Sequence, residues 1–228
     1  MLSISWLPLQ KQTTNPGTGF SSSATNDYQN EGTALLYDMM NLQQRGLSMQ
    51  AFEYAYKGYR LLLQKKIISK QDYLTICDFS QSSNNKRFYL VDMVNNKVIL
   101  NTYVAHGRNS GGEYATRFSN RFESLQSSLG FYVTQNAYYG EHGLSLRVTG
   151  LEEGYNDKAL QRNIVIHGAD YVGDKRLRRS NYMGRSYGCP AIPGKECRQV
   201  INMIKNGTCI FIYHPSANYL NGSKILNG

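Results

Sequence analysis

The sequence contains few charged residues and no long apolar run. Charged residues make up only 18% of its 228 residues, which excludes a coiled coil or a helical bundle rich in Ala, Glu and Lys. Hydrophobic residues make up 41%, which argues against a disordered chain. No stretch of 18 apolar residues occurs, so we expect no membrane-spanning helix. The length suits one domain, or at most two, with a sizeable core.

Acidic residues are scarce. The chain has 16 Asp and Glu against 25 Lys and Arg, a formal net charge of +9. Such a surface attracts polyanions, namely nucleic acid, anionic lipid or the acidic polymers of a cell envelope. The basic residues are not interleaved with aromatic residues in a stacking motif, and no helix-turn-helix or RNP pattern is present. We therefore expect no nucleic-acid partner.

Cysteine is rare, and its spacing does not fit a metal site. No C-x-x-C pair and no His at zinc-site spacing accompanies the four cysteines, which are Cys77, Cys189, Cys197 and Cys209. The pattern predicts no metal site and no cofactor. If one cysteine is a free thiol used in chemistry, an odd number is left over, and we expect no structural disulfide.

The first part of the chain differs in composition from the rest. Residues 10–31 are rich in Ser, Thr, Asn and Gly, so we interpret residues 1–32 as a tail or linker. Apolar residues at helical spacing, with Gly46 as a stop and Ser48 as an N-cap, then predict two helices over 33–66. We expect one domain over residues 33–228 with this helical hairpin at its start.

After Tyr73 the apolar period indicates strands. Asn95 and Asn96 tolerate the positive φ of a tight turn and predict a hairpin between the first two runs. One late helix is expected over 195–206. The predicted strands cover residues 87–94, 97–105, 130–135, 144–149, 163–167 and 208–214. The predicted fold is mainly β, a sandwich or mixed sheet with one helix after Cys189.

A histidine and a cysteine stand on separate elements, each beside glycine. The apolar run Ile164–Ile166 delivers His167 to the end of a strand, and Cys189 follows within Gly184-Arg185-Ser186-Tyr187-Gly188-Cys189-Pro190. Thiol catalysis needs such a pair, because the imidazole removes the thiol proton and small neighbours let a carbonyl approach. The order, His before Cys, is not that of papain.

These motifs resemble a known family. His167-Gly168 followed by Ser186-Tyr187-Gly188-Cys189 is similar to the His-Gly…Ser-x-Gly-Cys signature of L,D-transpeptidase catalytic domains, which remodel bacterial peptidoglycan. The branch it resembles continues as Cys-Pro-Ala-x-Pro. Similarity to this branch extends over roughly residues 33–214 and includes residues 104–108, 118–120, 127–132 and 143–146.

The resemblance implies acyl transfer through a thioester. Cys189 would attack the carbonyl of the third residue of a tetrapeptide stem, and the terminal D-amino acid would leave. His167 would act as base and then as acid. The partner would be peptidoglycan stem peptides, the protein would be monomeric and carbapenem-sensitive, and its place would be the cell envelope or periplasm. Met1–Leu9 is not a convincing export signal, so we expect a missing or atypical one.

Within that implied reaction, the tetrahedral intermediate needs N–H donors. Pro190 has none and favours an extended backbone at Cys189. The expected oxyanion hole is therefore formed by the backbone N–H groups of Gly188 and Cys189, together with Tyr187.

Five further residues are expected to contact substrate: Ser186, Arg185, Gly168, His106 and Asp170. Asp170 is also a candidate for orienting His167, although a backbone carbonyl would serve equally well. The chain departs from the wider family, which has Arg two residues after the cysteine, because Ala191 stands there. Arg185 is a candidate to replace that charge, and the basic loop around it suits carboxylate ligands.

Three alternatives remain open. The same Cys and His could hydrolyse stem peptides or crosslinks, as an L,D-carboxypeptidase or amidase does. A zinc peptidase could use His167, Asp170 and His106 as ligands, which are plausible zinc ligands by type. A non-catalytic wall-binding module could retain the fold without the activity.

Overall fold

The computed structural model describes residues 22–228, with side chains from residue 31. Residues 1–21, most of the expected tail, lie outside the described part of the chain. The six helices there are α1 Ser22–Met39, α2 Met49–Gln64, α3 Asp174–Leu177, α4 Gly194–Ile204, α5 Ala217–Gly222 and α6 Lys224–Asn227. The eight strands are β1 Tyr73–Asp78, β2 Phe88–Asp92, β3 Lys97–Thr102, β4 Gly130–Gly140, β5 Gly143–Gly150, β6 Val165–Ala169, β7 Ala191–Pro193 and β8 Cys209–Tyr213.

The eight strands form one mixed sheet in the order β3-β2-β1-β8-β4-β5-β6-β7. Most neighbours are antiparallel, whereas β1 with β8 and β6 with β7 are parallel. Asn96 has a φ of 49° in the turn between β2 and β3, as a tight hairpin requires. The expectation of a mainly β fold with a mixed sheet is confirmed.

The two edges of the sheet meet, so that the sheet is nearly a barrel. Beyond β3, the Ala105 N–H donates to the carbonyl of Ala191 in β7 at 2.8 Å. A parallel bridge between Gly107 and Ser186 continues this contact. Pairing of the edges satisfies backbone groups that an open edge would leave exposed. The seam between β3 and β7 carries the loop that contains Cys189.

Two helical layers cover the sheet. Ser48 caps α2 by accepting the N–H of Ala51, and the buried face of α2 includes Phe52, Ala55 and Leu62. It packs against β1 and β8. α4 buries Cys197, Val200 and its two isoleucines and packs against β6. Among the described residues, no helix is long and apolar enough to cross a membrane.

Several details differ from the sequence expectations. The expected strand 163–167 is β6 Val165–Ala169, so His167 lies within the strand and not at its end. The short helices α3, α5 and α6 are not predicted from the sequence. α1 begins at Ser22 rather than near Thr33. At β1 the sequence shows only a change in the spacing of its apolar residues, and it does not predict β7. β7 is three residues long and contains a proline, so its pattern is too short to predict a strand from the sequence.

Candidate active site

The pairing of β6 with its neighbours places His167 and Cys189 in one cleft. β6 lies between β5 and β7, and His167 is opposite Ser145 on one side and Ala191 on the other. Cys189 precedes β7 by two residues, and its Sγ lies 3.5 Å from the Val165 nitrogen. Because side chains alternate along a strand, Val165 and His167 share a face. Both His167 and Cys189 line a cavity of about 450 Å³.

The imidazole of His167 is fixed by a backbone carbonyl. Its Nδ1 lies 3.0 Å from the Gly168 oxygen, and a carbonyl only accepts, so Nδ1 carries the proton and Nε2 keeps its lone pair. Burial lowers the pKa of His167, and the hydrogen bond to Gly168 opposes this. The neutral imidazole, with Nε2 as its basic atom, is therefore favoured. Of the two orienting partners considered from the sequence, the backbone carbonyl is the one observed.

A second imidazole covers the first. His142, at the turn between β4 and β5, stacks on His167 with ring centroids 4.3 Å apart and planes inclined by 22°. Its positive form also lowers the pKa of His167. No sequence pattern singles out His142, because it lies 25 positions from His167 and the antiparallel pairing of β5 with β6 brings the turn over this site.

Cys189 is a largely buried thiol. Burial raises its pKa, whereas the Val165 N–H and the charge of Arg162 lower it. The Sγ points toward the carbonyl oxygen of Asn163 at 3.7 Å. Among the described residues it makes no hydrogen bond to His167, and such bonds are often long in an enzyme without substrate. The two shifts favour a neutral thiol and a neutral imidazole.

Two serines hold the loop that precedes Cys189. The Ser186 hydroxyl donates to the Cys189 carbonyl at 2.6 Å and accepts the Gly188 N–H at 3.0 Å. The Ser127 hydroxyl donates to the Gly188 carbonyl at 3.0 Å and accepts the Gly107 N–H at 3.0 Å. Gly188 has a φ of 127°, which favours glycine. A Cβ there would lie 2.9 Å from the Gln126 oxygen.

Of the three N–H groups expected to form the oxyanion hole, one is already hydrogen-bonded to another described residue and two are not. The Gly188 N–H is already used by Ser186. Within the described part of the chain, the N–H groups of Tyr187 and Cys189 donate to no other residue. The oxyanion role of these two N–H groups stays a prediction.

Three arginines line the same cavity: Arg108, Arg176 and Arg185. Arg185 donates to the carbonyls of Arg108 and Gly111 at 2.9 and 2.8 Å. The Nε of Arg176 is buried and has no hydrogen-bond partner among the described residues. The lining described here includes no Asp or Glu, so the cleft is suited to an anionic ligand.

Other predicted contact residues lie elsewhere. His106 is fully buried, its Nδ1 accepts from Arg87 at 2.7 Å, and it does not line the cleft. Asp170 is exposed and lines a neighbouring cavity with Gly168. A Cβ on Gly168 would lie 3.0 Å from the Cβ of Cys197, so this glycine permits close packing of α4 on β6.

The buried surroundings of Ala191 explain why no arginine stands at this position. Ala191 is fully buried at the seam, in a small cluster with Ala105, Ala169, Val172 and Met183. A guanidinium in that cluster would be desolvated without a partner. The charge of Arg185 is oriented toward other groups, as its two carbonyl contacts show.

The zinc-ligand set considered from the sequence is not assembled. His106, His167 and Asp170 face three different surroundings. Among the described residues, no three His, Cys, Asp or Glu side chains are grouped closely enough to hold a metal ion. The four cysteines are likewise unpaired there.

Several solved L,D-transpeptidases are similar to this chain. An L,D-transpeptidase from Mycobacterium smegmatis is 13% identical, with 63% of this chain and 59% of that chain covered and a TM-score of 0.39. One from Enterococcus faecium is 14% identical, with 63% and 50% covered and a TM-score of 0.38. An L,D-transpeptidase in complex with imipenem is 12% identical, with 62% and 59% covered and a TM-score of 0.38.

This chain therefore spans between half and three fifths of these solved proteins. No curated protein matches it. A family model of the L,D-transpeptidase catalytic domain matches residues 43–213, more than half of the sequence. The region contains the His167 strand, the Cys189 loop and the seam that joins them, and on this match the chain belongs to the L,D-transpeptidase catalytic-domain family.

Proposed function

We propose that this protein transfers acyl groups between peptidoglycan stem peptides through a thioester on Cys189. The observation that carries the proposal is the shared cleft in which Cys189 lies beside His167, whose Nδ1 is fixed by the Gly168 carbonyl. A thiol, an oriented base and free backbone N–H groups are the parts that acyl transfer needs. Membership of the family supports the same reaction.

In the first half-reaction, Sγ of Cys189 forms a bond to the carbonyl carbon of the stem's third residue. His167 takes the thiol proton on Nε2 and gives it to the nitrogen of the terminal D-amino acid, whose C–N bond breaks. An amine of a neighbouring stem then attacks the thioester, forms the new amide and restores the thiol. Burial lowers the pKa of His167 and raises that of Cys189, so the neutral forms of both groups are favoured before substrate binds.

The oxyanion of each tetrahedral intermediate needs donors that are already in place. We assign this role to the N–H groups of Tyr187 and Cys189, with Gly188 holding the loop through Ser186. Loss of one such donor commonly costs about 10² to 10³ in turnover. Pro190 supplies no N–H, so the turn places its donors before the proline.

The arginines of the cleft support a substrate with carboxylates. Stem peptides carry them on D-Glu and on the diamino acid, and Arg pairs with carboxylate through two parallel hydrogen bonds. Arg176 has an unused buried donor, and Arg108 and Arg185 line the same cavity. Since peptidoglycan lies outside the inner membrane, this substrate places the protein in the cell envelope.

The decisive experiment is the intact mass of the protein after exposure to imipenem and, separately, to stem tetrapeptide. We expect wild type to gain the mass of one intact carbapenem, because thiol attack opens the lactam ring without a leaving group. Cys189→Ala should gain nothing, and the matched control Cys197→Ala, which removes another buried cysteine, should behave like wild type.

Products of the tetrapeptide reaction identify the acceptor. A crosslinked dimer with release of the D-amino acid supports transpeptidation, whereas a tripeptide alone makes water the acceptor and overturns that part of the proposal. Folded wild type that forms no adduct and releases no D-amino acid from stem tetrapeptide overturns the whole assignment.

A further inference from the structure

Arg162 lies just before β6, and its side chain is hydrogen-bonded to a single loop. Its guanidinium is half-buried and donates four hydrogen bonds, none to a carboxylate. The acceptors are the Ser119 carbonyl at 2.8 Å, the Ser128 hydroxyl at 2.6 Å, the Ser124 hydroxyl at 3.1 Å and the Gln126 carbonyl at 2.8 Å. All four belong to residues 119–128, so this side chain is held in one position.

The guanidinium of Arg162 lies beside Gly188, the residue that precedes the proposed nucleophile Cys189. The Nη2 atom of Arg162 lies 3.5 Å from the point that a Cβ on Gly188 would occupy. The next residue, Asn163, supplies the carbonyl that lies 3.7 Å from the Sγ of Cys189. Arg162 does not line the cavity shared by His167 and Cys189, so it approaches the thiol through the protein.

Among the residues that the structure describes, no carboxylate forms an ion pair with Arg162. The two ion pairs found among the described residues involve Lys195 and Lys224. Glu123 lines a neighbouring cavity with Arg162 without pairing with it. Since the acceptors are neutral oxygens, the charge of Arg162 remains available to a nearby anion in a medium of reduced dielectric.

We propose that Arg162 is a positioning residue whose fixed guanidinium stabilises the thiolate of Cys189 and holds the Gly188 turn behind it. The inference rests on Cys189 being the nucleophile of the proposed function. Burial raises the pKa of this thiol, and the charge of Arg162 acts against that rise. The interaction is mutual: burial lowers the pKa of Arg162, and the Tyr132 phenol and Cys189 act against that fall.

Other titratable and charged groups also face the thiol. The cleft contains His142, His167, Tyr171 and Tyr187, together with the arginines at its rim. The experiment therefore changes Arg162 alone and measures the thiol directly. The rate of iodoacetamide alkylation of Cys189 is followed between pH 5 and pH 10, with labelling of Cys189→Ala subtracted to remove the other cysteines.

We expect Arg162→Gln to raise the thiol pKa and Arg162→Lys, which keeps the charge, to leave it near wild type. Each unit of increase slows alkylation about tenfold at pH values below the pKa. Arg60→Gln is the matched control, because it removes one Arg charge from α2, which does not line the cleft, and it should leave the pKa unchanged.

An unchanged pKa in folded Arg162→Gln overturns the inference, as does an equal rise in Arg162→Lys and Arg162→Gln, which would assign the effect to loop structure alone. If Arg162→Gln does not fold, Ser124→Ala removes one acceptor of Nη2. A smaller rise in the pKa is then expected, and none overturns the inference. If Arg162→Gln raises the thiol pKa of Cys189 but wild type carries out no transpeptidation, the proposed function fails and the inference about Arg162 stands.

Discussion

The imidazole of His142 stacks on that of His167, with the ring centroids 4.3 Å apart. His167 is 2% exposed, and the covering ring comes from the exposed turn between β4 and β5. Two effects of this contact have the same sign. Exclusion of water disfavours the charged imidazolium, and a like charge at His142 disfavours it further. The turn therefore helps to keep the base in its neutral form.

We expect His142→Ala to raise the pKa of His167 by removing both effects. Activity requires the neutral base, so the acid limb of the pH profile of kcat/KM should lie below pH about 6.5 in wild type, the ordinary value for His. In the variant that limb should move to higher pH. The measurement is kcat/KM for stem tetrapeptide across pH 4.5 to 8.

His142→Phe is the control that separates the two causes. The phenyl ring retains the stack and the cover but not the charge, so its acid limb should lie between those of wild type and His142→Ala. An acid limb that is the same in all three proteins would show that this contact does not tune the base.

Arg176 is expected to select for carboxylates in the stem peptide. Its buried Nε has no partner among the described residues, and hydrogen bonds to charged groups contribute about 1.5 to 3 kcal/mol. We expect Arg176→Gln to lower kcat/KM for a stem with free carboxylates about tenfold or more, and to affect an amidated stem much less. Competition between the two stems, followed by mass spectrometry, measures the ratio.

Arg178→Gln provides the matched control for this charge. Arg178 is exposed in the same basic segment and does not line the cleft. It should preserve the preference between free and amidated stems. If Arg176→Gln also preserves it, the carboxylate contact is made elsewhere.

Ser186 is expected to organise the oxyanion donors without activating the thiol. Its hydroxyl joins the Gly188 N–H to the Cys189 carbonyl. We expect Ser186→Ala to slow acylation by a carbapenem about tenfold or more, because displaced donors stabilise the oxyanion less well. Alkylation of Cys189 by iodoacetamide forms no oxyanion and should change little.

Ser180→Ala is the matched control, because it removes a hydroxyl from the same connection between β6 and β7. It should leave the rates of carbapenem acylation and of iodoacetamide alkylation unchanged. Equal losses in acylation and alkylation for Ser186→Ala would show that the serine acts on the thiol itself.

Local patterns were sufficient to predict much of this fold. The strand that contains His167 and the late helix that contains Cys197 follow from apolar periodicity and from the glycine after the helix, although β6 continues beyond His167 to Ala169. β7 and the bridge between Ala105 and Ala191 depend on contacts between segments far apart in sequence, and no local pattern specifies them. The first helix begins earlier than its composition indicates.

The same distinction applies to the site. Cys189 and His167 carry a recognisable motif, and Ser186 is part of it. His142 and Arg162 do not, because only the pairing of β5 with β6 and the fold of loop 119–128 bring them to the site. His106 carries the same His-Gly pattern as His167 but is fully buried against Arg87. His167 lies within β6, whereas His106 lies in the segment after β3. The dipeptide alone does not distinguish a His that faces a cleft from one that faces the core.

Glu152 is a buried carboxyl that joins the end of the chain to the sheet. It accepts hydrogen bonds from the Phe131 N–H and the Tyr219 hydroxyl, both at 2.8 Å, and from the Ser223 hydroxyl. Burial raises its pKa in the folded protein, and these hydrogen bonds only partly oppose the rise. Folding therefore favours the protonated form. The stability that this group contributes is complete below its unfolded pKa and is lost as the pH rises through its folded pKa.

We expect Glu152→Gln to remove this pH dependence, because the amide is neutral throughout and still accepts through its oxygen. The thermal midpoint of wild type relative to the variant should be highest near pH 4 and should fall as the pH rises toward 8. Glu153→Gln is the matched control, since Glu153 is exposed and pairs with Lys224 at the surface. If the thermal midpoint of wild type relative to Glu152→Gln increases with pH instead, the expectation is wrong. The hydrogen bonds from Phe131, Tyr219 and Ser223 would then outweigh burial and hold Glu152 as a carboxylate.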